Sequence, residues 1–147
     1  GRQTQKEEWS KIAYELNPNP VNAYNYSLNV DSHSNKELYN ELMQKAVAGN
    51  VDYAKLNYGL YLNDQGDPQG IRLLTELFDD WYFSFKLKML NENFHRDFAR
   101  LAQILQKEDI KKLIYQRIEE FEKKPKEHRF SESNLLSDST NSIIKGM

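Results

Sequence analysis

The sequence predicts an all-α protein of about six helices packed as antiparallel hairpins, with an extended N-terminal strap and a C-terminal tail. Apolar residues recur at spacings of three and four along most of the chain, which is the period of an amphipathic helix. Capping residues precede several of these stretches, and glycine or proline follows them. A chain of 147 residues buries roughly 70% of its unfolded surface, so these helices can share a core.

The first helix is predicted from about Thr4 to Leu16. Thr4 and Glu7 have the spacing of a capping box, in which each side chain accepts a hydrogen bond from a backbone amide at the helix start. The apolar residues on one face are Trp9, Ile12, Ala13 and Leu16. The cluster Asn17-Pro18-Asn19-Pro20 ends this helix, because a residue before proline avoids helical backbone angles.

Residues 21–33 are predicted to form an extended strap. Apolar and polar residues alternate here with a period of two, and the apolar ones are Tyr24, Tyr26, Leu28 and Val30. No second segment with this alternation offers a partner strand. We therefore expect the apolar side of the strap to pack on the helices.

A helical hairpin is predicted at residues 36–63. Its first helix opens with a second capping box, Ser34 and Glu37, and Gly49 suits the position just after its end. The apolar residues of this helix are Leu38, Leu42, Met43, Ala46 and Val47. The second helix spans about Val51 to Asn63, with Ala54, Tyr58, Tyr61 and Leu62 on one face.

Three further helices are predicted beyond the hairpin. Asp67-Pro68 supplies an N-cap acid and a proline at the first helical position of the fourth helix. Residues 83–90 alternate as a strand would, but they also continue the helical period without a breaker, and we favour helix. A fifth helix follows Asn91, and a sixth runs from about Glu108 to Lys124.

Small residues occupy characteristic positions in the hairpin. A Gly49-Asn50 corner is followed by Ala54 and, five residues later, by Gly59, while Ala46 closes the preceding helix. Small side chains let paired helices approach near the lower end of the 8–10 Å range. This pattern, within residues 36–75, resembles the Sel1-like repeat, a relative of the tetratricopeptide repeat. The resemblance implies a short solenoid, with an irregular bundle as the alternative.

We expect one helical domain at residues 1–125 and a polar tail at residues 126–147. Two apolar pairs interrupt the tail, Leu135-Leu136 and Ile143-Ile144, and they predict anchoring on the protein itself or on a neighbour. The sequence begins at Gly1 without an initiator methionine, so a removed signal peptide or lipid anchor would leave no trace. We favour the periplasm or cell envelope over the cytoplasm.

Composition and spacing disfavour several classes of function. Twenty basic and 22 acidic residues give a net charge of −2, without the basic stripe that nucleic-acid binding requires. Cysteine is absent, which excludes disulfides and thiolate sites. His33, His95 and His128 lack ligand-like spacing, and neighbouring acids diverge by about 100° on a helix. We expect no catalytic residue, metal, cofactor, small-molecule substrate or membrane span.

The aromatic residues indicate a binding surface. Aromatic side chains between Phe78 and Phe83 surround nearly the whole helix, more than one buried face accommodates. Trp81 and Tyr82, flanked by Asp79 and Asp80, predict a protein-binding hot spot.

The sequence therefore predicts a protein-interaction module. The Sel1-like resemblance implies a bacterial protein, and the specific expectation is an immunity protein that binds and neutralises a secreted toxin effector. The alternative is a structural or assembly scaffold domain of a cell-envelope complex. An enzyme is disfavoured.

Overall fold

A computed structural model describes residues 5–123 of the chain. This range contains seven α-helices and no strand, which confirms the predicted all-α class. The helices are α1 (Gln5–Leu16), α2 (Pro20–Ser27), α3 (Lys36–Ala48), α4 (Asp52–Asp64), α5 (Gln69–Lys86), α6 (Glu92–Ile104) and α7 (Glu108–Lys123). Thr4 and the predicted tail, with its two apolar pairs, lie outside the described residues.

The chain divides into two compact units, residues 1–80 and residues 81–147. In the first unit, α1 packs on α2, α2 on α3 and α3 on α4. In the second unit, α6 packs on α7. Helices that follow one another in sequence are therefore the ones that pack together, as in the predicted hairpins.

Residues 20–27 form helix α2, so the predicted extended strap is wrong. The Asn19 side chain accepts a hydrogen bond from the Asn22 backbone amide at 2.7 Å, and Pro20 occupies the first turn. The cluster that ends α1 therefore also starts the next helix. The buried side chains of this segment have helical spacing: Ala23, Tyr26, Ser27 and Val30. The alternation misled because it placed Leu28, which is exposed, on the buried side.

None of the described side chains of α1 is buried. Trp9 is 63% exposed and Leu16 is 82% exposed, so the apolar face predicted for this helix points outward. The helix is held by other contacts: the rings of Tyr14 and Tyr26 lie 6.0 Å apart, and Asn22 Nδ2 donates to the Asn17 carbonyl oxygen at 2.9 Å. Periodicity identifies an apolar face but not what covers it.

The predicted capping box at the start of α3 does not form. Asp31 Oδ1 accepts hydrogen bonds from the backbone amides of His33 and Ser34, at 2.8 and 3.3 Å. Ser34 therefore belongs to a turn organised by Asp31, and Asn35 occupies the N-cap position without a side-chain capping bond. An aspartate that binds its own following amides competes with a cap further along the chain.

The corner between α3 and α4 uses Gly49 and Asn50 for different purposes. Asn50 has the left-handed backbone conformation, with φ of 63°, whereas Gly49 has φ of −90°. Gly49 is the C-cap residue directly after α3, and Asn50 takes the left-handed conformation because asparagine tolerates this region. Glycine is required at position 49 for space, since a Cβ atom there would lie 2.2 Å from Pro20 Cγ.

Two glycines bring α4 and the first part of α5 into close contact. A Cβ atom on Gly59 would lie 2.8 Å from the Leu74 side chain, and one on Gly70 would lie 2.5 Å from the Asn63 backbone nitrogen. Asp67 starts the turn that leads into α5 as predicted, because its Oδ1 accepts from the Gln69 amide at 2.9 Å.

The second unit has a core of aromatic and aliphatic side chains. Its buried members are Trp81, Phe85, Phe98, Ala99, Leu101, Ala102, Ile114 and Ile118. Helix α5 continues to Lys86, which confirms the helical interpretation up to that residue, and Lys88 then turns the chain with φ of 59°. Asn91 caps α6 by accepting from the Phe94 amide at 3.2 Å.

Candidate functional site

The predicted hot spot is only partly at the surface. Trp81 is 2% exposed, and its ring lies edge-on to Phe94 at 5.8 Å and to Phe98 at 6.4 Å. Its neighbours on α6 therefore cover Trp81, and its role in protein binding stays a prediction. Asp79 and Asp80 are exposed, and a binding role for them stays a prediction.

The remaining aromatic residues of the same helix differ in exposure. Tyr82 is partly exposed, and the Lys86 Nζ atom lies over its ring at 4.6 Å. Phe83 is 61% exposed, so it is the large aromatic side chain that this helix presents to solvent. The count of aromatic residues correctly indicated that some of them reach the surface, but it did not distinguish which.

A groove of about 550 Å³ lies in the first unit, at the end of α2 and along the α3–α4 hairpin. We call it the tyrosine groove, and it is lined by Ser27, Leu28, Val30, Ser32, His33, Tyr39, Met43, Asn57, Leu60, Tyr61, Asp64 and Gln65. Val30, Tyr39 and Met43 are buried and provide an apolar floor. Asp64 and Gln65 are exposed and add polar groups. A concave surface with an apolar floor and a few polar groups is typical of binding sites.

Three tyrosine rings pack together at one wall of the tyrosine groove. Tyr39 and Tyr61 line the groove, and Tyr58 lies behind them. Tyr39 and Tyr61 meet edge to face with ring centroids 4.8 Å apart, and Tyr61 stacks on Tyr58 at 6.1 Å. Tyr58 is buried, whereas Tyr61 is partly exposed. The two more buried rings therefore hold the Tyr61 ring in a fixed orientation beside the opening.

Hydrogen bonds fix the polar side chains around these rings. The Tyr58 hydroxyl donates to Asn40 Oδ1 at 2.7 Å and accepts from Gln44 Nε2 at 3.3 Å. Asn57 Nδ2 donates to the Tyr24 hydroxyl at 2.9 Å. These bonds order Asn57 in the lining and Tyr58 in the packing behind it, and such preorganisation lowers the entropic cost of binding.

Burial governs the ionisation of the tyrosines. It raises the pKa of Tyr39 above its ordinary value, and the neighbouring tyrosines Tyr61 and Tyr58 raise it further. Burial also raises the pKa of Tyr58, an effect that the hydrogen bond from Gln44 partly offsets. Their hydroxyls are therefore neutral near pH 7 and can both donate and accept hydrogen bonds.

The second unit contains a buried histidine of unusual environment. His95 is 0% exposed, its Nδ1 atom lies 2.6 Å from the Asn91 carbonyl oxygen, and Nε2 has no hydrogen-bond partner among the described residues. Because a carbonyl oxygen only accepts, Nδ1 carries the proton in the neutral ring. The rings of Phe85 and Phe121 enclose the imidazole at 5.6 and 5.2 Å.

Burial among these rings removes water from the imidazole and so lowers the pKa of His95, and the charge of Arg117 lowers this pKa further. The hydrogen bond to Asn91 and the charge of Glu92 act in the opposite direction. Arg117 itself lies over the Phe85 ring at 3.7 Å and donates to the Phe85 carbonyl oxygen at 2.6 Å. His95 is therefore a packing residue of the core whose imidazole is neutral near pH 7, and within residues 5–123 its Nε2 atom has no hydrogen-bond partner.

The described residues show neither a metal-binding cluster nor a membrane-spanning helix. Among residues 5–123, no group of three or more His, Cys, Asp or Glu side chains is arranged to hold a metal ion. No helix within this range combines the length and apolar character needed to cross a bilayer.

Sequence reasoning did not find the tyrosine groove. The only available signal was the concentration of tyrosines between Tyr53 and Tyr61, which was mostly assigned to the core. His33, Tyr39 and Asp64 come together only because the α3–α4 hairpin and the end of α2 pack in one unit.

Comparison with models of protein families, with curated proteins and with solved structures finds no match for this chain. The Sel1-like resemblance therefore stays a prediction from residues 36–75.

Proposed function

We propose that this protein is an interaction module that binds a segment of a partner protein in the tyrosine groove. The observation that carries the proposal is the preorganised lining, in which the partly exposed Tyr61 lies against the buried Tyr39 and Tyr58. Tyrosine contributes a large contact area to interfaces with few rotatable bonds. Asn57, Asp64 and Gln65 add groups that can pair with the backbone of a bound segment.

The specific form of this proposal is an immunity protein whose partner is a secreted toxin effector. It rests on the Sel1-like resemblance of the hairpin that lines the groove, and so on analogy. The alternative is an assembly domain of a cell-envelope complex. The tail to which that alternative assigns a docking role lies outside the described residues.

The test is a comparison of matched variants in partner capture. The purified chain is immobilised and exposed to an extract of the cells in which it is native, and bound proteins are quantified by mass spectrometry. A protein retained by the wild type is expected to be lost with Tyr61→Ala and kept with Tyr115→Ala, which changes an exposed tyrosine outside the groove. Equal retention by Tyr61→Ala and the wild type overturns the groove as the binding site.

The immunity form is tested with the captured protein itself. Expressed alone in a bacterial host, a toxin effector is expected to stop growth, and co-expression of this chain is expected to restore it. Restoration by wild type but not by Tyr61→Ala supports neutralisation through the groove. A captured protein that is harmless when expressed alone contradicts the immunity form and favours the assembly form.

A further inference from the structure

We infer that the segment bound by the tyrosine groove is basic, with a lysine or arginine side chain placed beside Tyr61 and Asp64. This inference rests on the proposed function, because it names the chemical class of the segment that occupies the same groove. It is carried by three observations: the charge of the unit, the order of side chains along α4 and the exposure of the lining.

The first observation is the charge of the first unit. Its described residues, 5–80, contain twelve Asp and Glu and six Lys and Arg, a net charge of −6, although the whole chain has a net charge of only −2. The two stretches that line the groove, residues 27–43 and 57–65, contain four acidic residues and one lysine. A basic segment is therefore attracted to this surface and an acidic one is repelled.

The second observation is the row of side chains along α4. Asn57, Tyr61 and Asp64 are separated by four and three residues, so they follow one another on one face of the helix. An amide, an aromatic ring and a carboxylate thus line the groove in sequence. A cationic side chain over the Tyr61 ring is attracted by its π electrons and has the Asp64 carboxylate within one helical turn.

The third observation is the division between a buried floor and an accessible rim. Tyr39 and Met43 are buried at the floor, while Asp64 and Gln65 are exposed. The exposed Asp64 carboxylate is therefore accessible to a partner, and its position avoids the large desolvation cost of a buried acid. The long aliphatic stem of a lysine or arginine suits the apolar floor, while its charged end reaches the rim.

The experiment titrates three capped octapeptides into the full-length protein and follows backbone amide shifts by NMR. In every peptide, alanine occupies alternate positions. The remaining positions hold lysine and arginine in the basic peptide, glutamate in the acidic peptide and glutamine in the neutral peptide. The basic peptide is expected to shift amides around Tyr39, Asn57 and Tyr61, and its Kd is expected to rise severalfold between low salt and 0.5 M salt. Equal shifts by the glutamate or glutamine peptide, or none at these amides with the basic peptide, overturn the inference.

Two variants of acidic residues locate the binding of the basic peptide. Asp64→Asn removes the charge in the groove and is expected to weaken binding at least threefold, whereas Glu76→Gln removes an exposed charge of the same unit outside the groove and is expected to leave binding unchanged. Equal weakening by both variants overturns the groove assignment in favour of attraction to net charge alone. Tyr61→Leu, which keeps apolar bulk, is expected to weaken binding as Asp64→Asn does, and unchanged binding contradicts the role of the ring.

The capture experiment distinguishes this inference from the proposed function. If a natural partner is lost with Tyr61→Ala while the basic peptide fails to bind, the basic class is wrong and the groove function stands. If partner retention does not depend on Tyr61, the groove function itself is wrong, whatever the peptides do.

Discussion

The two units of this protein use aromatic residues in different ways. Residues 5–80 contain seven of the nine tyrosines, whereas residues 81–123 contain five of the seven phenylalanines. In the first unit the hydroxyls of Tyr24 and Tyr58 hydrogen bond to polar side chains near the groove. In the second unit, the ring of Phe98 packs against the rings of Trp81 and Phe85. A tyrosine can therefore belong to a core and to the edge of a groove at once, because its hydroxyl has partners at the edge of the core.

Phe98→Ala is expected to have the largest effect, because it removes a fully buried ring between Trp81 and Phe85. The free energy of unfolding of the second unit should fall by about 3–5 kcal/mol. In a Trp9→Phe background Trp81 is the remaining tryptophan, so urea unfolding followed by its fluorescence reports on this unit. The control, Phe83→Ala, removes an exposed ring and should change stability by less than about 0.5 kcal/mol. Similar losses of unfolding free energy for both variants would contradict the packing of Phe98 in the aromatic core of the second unit.

Gly70→Ala is expected to destabilise the first unit, although alanine is the better helix former. The added Cβ atom would lie 2.5 Å from the Asn63 backbone nitrogen and 2.6 Å from the Gly59 carbonyl oxygen, which are rigid neighbours. Overpacking of this kind costs about 1–3 kcal/mol, measurable as a lower midpoint in thermal unfolding followed by circular dichroism. Gln69→Ala, at the exposed neighbouring position, is the control. An unchanged midpoint for Gly70→Ala would contradict the close approach of α4 and α5.

The pH dependence of stability is expected to distinguish the two cores through His95. Its pKa is lowered in the folded state from an ordinary value of 6.5, so below pH 6.5 the unfolded chain holds more protons than the folded one. The free energy of unfolding therefore decreases as the pH falls from 6.5 toward the folded pKa. The slope for one proton is at most about 1.4 kcal/mol per pH unit.

The measurement is urea unfolding between pH 7.5 and pH 5, again followed through Trp81. His95→Phe is expected to remove this slope in the second unit, whereas His33→Gln, at an exposed position of the first unit, should preserve it. A slope that survives in His95→Phe would show that other groups cause the pH dependence.

Tyr58→Phe is expected to cost about 1 kcal/mol, because it removes the hydroxyl that bonds Asn40 and Gln44 while keeping the ring. Chemical unfolding followed by circular dichroism measures the change. In the second unit, Tyr115→Phe removes a hydroxyl from an exposed ring and should have almost no effect. If the two variants behave alike, the hydroxyls of the first unit do not stabilise its core.

Leu16→Gln is expected to have the smallest effect, within about 0.5 kcal/mol, since this side chain of α1 is exposed. Leu42→Gln, at a fully buried position of α3, is the matched control and should unfold the first unit. A large loss for Leu16→Gln, detected by the same unfolding experiment, would mean that the outward face of α1 is covered in solution.

Much of the local structure was predictable from short-range signals. The starts of α5, shortly after Asp67, and of α6, directly after Asn91, followed from residues whose side chains accept hydrogen bonds from amides two or three positions ahead. The prediction failed where two local signals competed. Asn19-Pro20 lies both after the end of α1 and at the start of α2. Asp31 accepts a hydrogen bond from the Ser34 amide, which places Ser34 in a turn instead of a capping box.

The sequence by itself determined the all-α class and most helix boundaries, because helical periodicity and capping depend on residues within one or two turns. Only the tertiary structure decided that Trp81 is covered, that the apolar face of α1 points outward and that Tyr39, Tyr61 and Asp64 share one groove. The reason is physical. An amphipathic pattern indicates that one face of a helix is apolar. Whether that face is buried depends on which other helix packs against it, and this packing depends on close approaches such as that of Gly49 to Pro20.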